Sequence, residues 1–188
     1  PNFFNDSKLI DELSFDEAIE LAYYGAKVIH PKTIQPLKKK GITLHIKSFK
    51  QPLKKGTLIS NNVKELSKLP FYINKQNQIL ISISDSLLSF IVEEHISKIF
   101  KILEKHSVRV NMMQNSAISF SICVDNDRHT IAHLLKDLQS SFKIYYNKKV
   151  SLYTIRNYNT ESLKNIIQKK KLLLEQRSRN TIQLVIKD

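Results

Sequence analysis

The chain is short of several things, and each shortage closes a class of answer. It has one cysteine, Cys123, among 188 residues. A single thiol cannot build a disulfide framework or a cysteine-based zinc site. It lies inside an apolar, strand-like run and fits a reducing compartment, so a cytoplasmic location is expected. No apolar run approaches the roughly 20 residues that span a bilayer, and no membrane partner is expected. The opening PNFFNDSKLIDE is acidic and polar and lacks a signal-peptide pattern. It also lacks an initiator methionine, so the chain reads as a piece of a longer protein. Glycine is scarce, with three in all, so each one between regular segments marks a boundary.

Acidic residues are few beside basic ones, 17 against 30, for a formal charge of +13. Such a balance raises a nucleic-acid reading. Against it, the lysines are dispersed over loops and helix faces, and no platform of interleaved aromatics and arginines appears. The run AISFSICVD carries Ile, Ser and Cys where an RNA-binding sheet would expose aromatics. The excess charge reads as a solvated face, and no nucleic-acid partner is expected.

What is present has a clear rhythm. SFDEAIELAYYGA, 14–26, predicts a helix with Ser14 as N-cap, Glu17 completing a capping box, and Gly25 at its end. Pro31 suits the first position of a second helix, which Pro36 and Gly41 are expected to end. His30 suits a capping or packing role before Pro31. TLHIKSF, 43–49, and TLIS, 57–60, predict strands. NNVKELSKLP, 61–70, reads as a linker.

From there the order is strand 78–84, helix 95–106, strand 108–114, strand 117–125, helix 128–141 and strand 142–146. This β-α-β-β-α-β order is the ferredoxin-like split unit. VSLYTIRN, TESLKNIIQKK, LLLEQRS and TIQLVIKD then predict strand, helix, strand and a fourth element. The second unit is thus β-α-β-β, and a repeat of about 70 residues is a structural signal in itself. PFYINKQ, 70–76, is strand-like and can complete the second sheet. The domain reading is 1–60, a linker 61–69, a first unit 70–147 and an incomplete second unit 148–188. Such units pair edge to edge or face to face. The seam would hold Asn111, Gln114, Asn115 and Ser116, with backbone donors around Glu94, His95 and Ile96, and Val110 beside them. Uncharged amides and hydroxyls of this kind can hold both ends of a zwitterionic amino acid. NMMQNS also reads as a half-buried strand with an ordinary polar turn.

ELSFDEAIELAYYGAKVIHPKTIQPL, followed by GITLHIKSFKQPLKKGTLIS, resembles the end of the catalytic domain of aspartate kinases, in the amino-acid kinase superfamily. The two repeats, with VNMMQNSAISFSICVD and EQRSRNTIQLVIKD, look like the tandem ACT domains of that family. The resemblance implies an α/β (α+β) chain: a remnant of the kinase domain, then two ferredoxin-like βαββαβ ACT domains. It implies ATP-dependent phosphorylation of the side-chain carboxylate of L-aspartate, with Mg2+ accompanying ATP. It also implies feedback by an end-product amino acid, lysine or threonine, and a homodimer formed through the ACT domains. Lys27 and Val28 would lie at the ATP site, Lys27 as a fixed charge near the nucleotide and Val28 as a wall for adenine. No catalytic residue and no metal ligand is assigned within this chain, which is expected to be inactive alone. Where lysine-sensing bacterial members carry an aspartate, this chain has Asn111; where they carry a small glycine, it has Glu94. Where many members carry an arginine in the nucleotide loop, it has Asn2. The alternative is a non-catalytic ACT regulatory protein, which would not need the GAKVIHP segment.

Overall fold

A computed structural model describes residues 7–26, 29–63, 69–86, 89–167 and 170–187. The chain divides into two compact units, Pro1–Leu69 and Pro70–Asp188.

The first unit begins with a strand too short to be predicted, β1 (Glu12–Ser14), which runs directly into helix α1 (Phe15–Tyr24). Ser14 accepts a hydrogen bond from the Glu17 amide at 3.1 Å, as an N-cap should. Gly25, at φ 115°, closes the helix: its own N–H reaches Ala22, and the Ala26 N–H reaches back to Leu21 at 2.8 Å. That pair of bonds is a Schellman motif, which needs a left-handed residue. Helix α2 (Pro31–Lys40) starts on proline and is capped by His30, whose Nδ1 accepts the Lys32 amide at 3.2 Å. The helix continues through Pro36 to Gly41 instead of stopping at the proline. Pro36 removes one amide donor, and the Lys32 carbonyl lies on an exposed turn where water can replace it. β2 (Leu44–Ile46) pairs antiparallel and β1 pairs parallel with the central β3 (Thr57–Ser60). Phe15, Ile34 and Ile59 are buried in this unit.

The second unit is one six-stranded sheet. Its elements are β4 (Phe71–Ser84), α3 (Glu93–Lys105), β5 (Val110–Asn115), β6 (Phe120–Asp125) and α4 (Arg128–Gln139). They continue with β7 (Lys143–Arg156), α5 (Thr160–Ile167), β8 (Lys171–Arg177) and β9 (Thr181–Lys187). The strand order is β5-β6-β4-β7-β9-β8. The stretches 70–76 and 78–84, expected as separate strands, fall on the one strand β4, and 142–146 and 150–157, likewise expected apart, fall on the one strand β7, which ends at Arg156. β4 and β7 pair antiparallel along their length, from Phe71↔Arg156 to Ser84↔Lys143. The upper halves of this pair belong to the β-α-β-β-α-β unit. The lower halves join β9 and β8. The register shifts near Lys75–Leu80, where Asn77 and Lys149 both adopt positive φ. These bulges hide the continuity, because the polar run KQNQ breaks the alternation there.

Helices α3 and α4 cover one face, burying Ile79, Ile81 and Ile83 of β4 with Ile99, Leu103, Leu134 and Leu138. The other face has its own smaller core of Leu80, Met112, Cys123, Val150, Leu152 and Val185. Strands buried on both sides read as near-continuous apolar runs, which explains QILISI and SLYTI. Asp127 caps α4 by accepting the Thr130 amide at 2.9 Å, and Asn159 and Ser162 exchange reciprocal bonds at the start of α5. Asp137 accepts from Lys105 and His106 between α3 and α4.

Helix α3 ends in the same motif as α1, with Val108 N–H on Leu103 at 2.9 Å, but the left-handed position is Ser107, at φ 52°. Ser107 is exposed, so Ser107→Gly removes strain without losing packing. It should raise unfolding free energy by about 0.5–1 kcal/mol, read as a shift in denaturant midpoint at constant slope. The Thr130 amide holds Asp127 below its ordinary carboxylate pKa, and Lys105, then His106, do the same for Asp137. Both carboxylates are therefore stabilising above the unfolded value and lose that contribution as pH falls through the folded one. Acid titration of the fold should show destabilisation beginning below about pH 4, and Asp137→Asn should flatten that limb.

Candidate effector and nucleotide sites

The polar residues singled out on β5 do not share one site. A bulge in the β5–β6 pairing falls between Val110↔Val124 and Met112↔Cys123, so Asn111 is the extra residue. Val110 packs on the helix-side core. Met112 belongs to the opposite core, and Asn111 turns to that side with it. There its amide group makes three hydrogen bonds. Asn111 Oδ1 accepts from Lys75 Nζ at 2.9 Å, and Nδ2 donates to Gln78 Oε1 at 2.8 Å and Asp125 Oδ1 at 3.0 Å. Gln78, itself buried, donates to Asp125 Oδ1 at 2.8 Å and to the Gln76 carbonyl at 3.1 Å. Burial lowers the Lys75 pKa, with Asp125 opposing and Arg109 adding to the shift. Cys123 lies under this network, 3.9 Å from Gln78 Oε1. Burial first, and then the Asp125 charge, push its thiol up to about 12.

Gln114, Asn115 and Ser116 lie at the other end of β5, about 10–16 Å along the strand from Asn111 at the usual rise. Gln114 and Asn115 are exposed opposite Ser121 and Phe120. Ser116 closes the hairpin through its amide on the Ser119 carbonyl at 2.8 Å. This tip meets the approach to α3, because the Ile91 amide donates to the Ala117 carbonyl at 2.9 Å. At the start of α3, Glu94 is exposed. His95 Nδ1 accepts the Val92 amide at 3.3 Å, and its ring meets Phe142 edge-on at 6.1 Å. Ile96 is half-buried against the helix-side core, with its amide on the Val92 carbonyl at 3.2 Å. Val92, the N-cap, has no side-chain acceptor to offer the first turn. The structure thus brings Asn115, Ser116 and the α3 start together and sets Asn111 apart. Lys75, Gln78 and Asp125 escaped sequence reasoning. The signal for Lys75 and Gln78 was the polar interruption KQNQ inside an otherwise apolar strand.

In the first unit, Lys27 and Val28 lie outside the described residues. Their neighbours Ala26 and Ile29 line an apolar cavity of about 130 Å³ together with Leu13, Leu21, Ala22 and Ile34. Among the described residues, no three His, Cys, Asp or Glu side chains cluster as a metal ion would require, so no residue is assigned to Mg2+. No helix among them is long and apolar enough to cross a membrane.

Comparison with known proteins places this geometry. Residues 1–48 match the model of the amino acid kinase family. The chain is 31% identical over 130 residues to lysine-sensitive aspartokinase 3 of Escherichia coli, covering 69% of this chain and 29% of that protein. It is 26% identical over 179 residues to the chloroplastic aspartokinase 3 of Arabidopsis thaliana, covering 93% of this chain and 31% of that protein. The chain is an aspartokinase relative. It spans about a third of the length of these curated relatives. Its fold matches E. coli aspartokinase III solved with lysine and aspartate, at a TM-score of 0.81 and 21% identity, covering all of this chain and 45% of that one. The same enzyme with aspartate and ADP gives 0.76. The ferredoxin-like, ACT-type architecture expected of the second unit is therefore the one observed.

Two measurements check the network. Asn111→Ala removes the partner of Gln78 Oε1 and of Lys75 Nζ and should cost about 1–3 kcal/mol, whereas Gln114→Ala, on an exposed position, should stay within about 0.5 kcal/mol. Cys123 should be inert to thiol reagents in native protein at pH 8 and react fully once denatured.

Proposed function

We propose that this chain is the C-terminal part of an aspartate kinase, whose whole protein transfers the γ-phosphoryl group of ATP to the side-chain carboxylate of L-aspartate, giving 4-phospho-L-aspartate. The observation that carries the reading is the joining, in one chain, of two things: a β-α unit ending in Gly-Ala-Lys-Val-Ile-His-Pro, and an ACT-type sheet of two coupled halves. A pure amino-acid sensor has use for the second alone. In this reading Lys27 sets a positive charge near the ATP phosphates, where phosphoryl transfer depends on positioning and charge stabilisation. Val28 offers an apolar wall to the adenine in the same reading. Mg2+ would accompany the nucleotide and draw its protein ligands from outside this chain. A cytoplasmic setting agrees with the single buried thiol.

The effector is a free amino acid, lysine or threonine, held where the α3 start meets the β5–β6 hairpin. The first-turn amides behind Val92 suit its carboxylate, and Asn115, Gln114 and the exposed Glu94 suit its ammonium and side chain. Asn111 contributes by holding β5 in register, since its amide makes three hydrogen bonds within the sheet. β5 is an edge strand with Met113 and, just beyond it, Ile118 each 49% exposed. A second copy pairing along that edge would cover both and close the effector site, giving a homodimer. Effector binding shifts activity only through its differential affinity for two states of the enzyme.

Calorimetric titration of the chain with lysine, threonine and methionine should show one of them binding between micromolar and millimolar, and Asn115→Ala should weaken it about tenfold or more. Heat from none of the three would overturn the effector reading. In the whole protein, Lys27→Ala should lower kcat/KM for ATP about 100-fold while leaving the effector titration unchanged. A wild-type whole protein without aspartate-dependent ATP turnover would overturn the kinase reading.

A further inference from the structure

Strand β7 is partnered unevenly. From Val150 to Arg156 it lies between β4 and β9, but from Lys143 to Asn147 it has β4 on one side and, among the described residues, no strand on the other. Such an edge presents a row of main-chain donors and acceptors that can template another strand. The side chains along it are distinctive. Lys143, Tyr145, Tyr146, Lys148 and Lys149 are all exposed, with Tyr145 at 61% and Tyr146 at 44%. No acidic residue occurs between Asp137 and Glu161.

Successive strand residues point to opposite faces, so the two tyrosines divide the edge between them. Tyr145 lies across from Ser82, on the face away from α3 and α4, and Lys143 Nζ stands 5.4 Å from its ring centre. Tyr146 lies across from Ile81, on the helix face, and Lys148 Nζ stands 5.4 Å from its ring centre. Each face of the edge therefore carries one lysine held over one tyrosine. The ring face attracts the ammonium and holds it near the edge. A second strand laid along this edge would place successive side chains alternately beside the two pairs. Successive carboxylates would then each meet a cation, on opposite faces.

Two other occupants fit less well. A second copy of the same edge would bring lysines against lysines. Single-stranded nucleic acid needs bases stacked on aromatics sharing one face, and these tyrosines point to opposite faces. We propose that residues 143–149 are a docking edge for an extended acidic peptide segment of a partner protein, which adds as a strand and is read by consecutive carboxylates. The site shares no residue with the effector position and holds whether or not the chain is part of a kinase.

The test is fluorescence anisotropy on the full chain, with a labelled octapeptide of paired glutamates separated by valine. Saturable binding is expected, weakening about tenfold or more between low salt and about 0.3 M. A Lys143→Glu/Lys148→Glu double variant should bind at least about tenfold more weakly, with its thermal melt showing that it still folds. The same peptide N-methylated at alternate amides should also lose binding, since it keeps the charge and loses the strand pairing. On the wild-type chain, a peptide with lysine in place of glutamate should not bind, which keeps the test independent of any variant's folding. Equal binding of the N-methylated or charge-reversed peptide would overturn the proposal. Tighter binding of an oligouridylate RNA would overturn it in favour of nucleic acid. Self-association abolished by the double variant would overturn it in favour of a second copy.

Discussion

The second unit depends on the antiparallel pairing of β4 with β7. Each strand is 14 residues long, about twice the usual length, and each serves both halves of the sheet. Between them they contribute Ile79, Ile81 and Ile83 to the core under the helices and Leu80, Val150 and Leu152 to the core on the opposite face. A slip of one residue would exchange these faces for every side chain at once. The register is therefore held tightly by apolar burial on both sides. The bulges near Asn77 and Lys149 let the strands bend between halves without unpairing. Neither half can shift along its own strands without moving the other's, which is a physical basis for coupling between the repeats.

The network around Asn111 is the polar counterpart of that constraint. Gln78 sits at the β4 bulge, Asn111 at the β5 bulge and Asp125 at the end of β6. Their mutual hydrogen bonds tie three strands together on the face away from α3 and α4. Lys75 adds a half-buried cation whose cost of burial is offset by Asp125 and by the Asn111 carbonyl oxygen. Buried polar groups of this kind stabilise a unique arrangement only when every member is partnered. Here the asparagine has three partners in the network, Lys75, Gln78 and Asp125. A residue in that position fixes the strand on which it sits.

Much of the fold was legible because its signals are local. The cap at Ser14, the glycines at 25 and 41, and the helical spacing of Ile131, Leu134, Leu135 and Leu138 each specify a boundary or a face within a few residues. The order β-α-β-β-α-β followed from local apolar runs and spacings of the same kind between residues 78 and 146. The continuity of β4 and of β7 was not legible, because YINKQNQ and YYNKKVS carry turn-like polar residues and the apolar alternation lapses there. Only pairing with a distant strand makes such runs extended. β1 was missed for a similar reason: three residues form a strand only because β3 lies beside them. The site was half legible. Residue types at 111 and 114–116 identified polar chemistry on β5, but a bulge adds a residue without any change of composition. Which face Asn111 takes is therefore written in the pairing and not in the run of letters.

The open edges of the sheet carry the remaining logic. Edge strands invite association, and proteins manage them with charge or by covering them. β5 has exposed Met113 and polar amides and no charged side chain from Val110 to Asn115, a composition that tolerates a like neighbour. The open half of β7 carries three lysines and two tyrosines, a composition that repels its own kind. Three of the 30 basic residues are gathered on this short edge, with no acidic residue between Asp137 and Glu161. Lysine there excludes self-pairing and, by the same field, favours an acidic strand. One edge of the sheet is suited to symmetry and the other to a different partner.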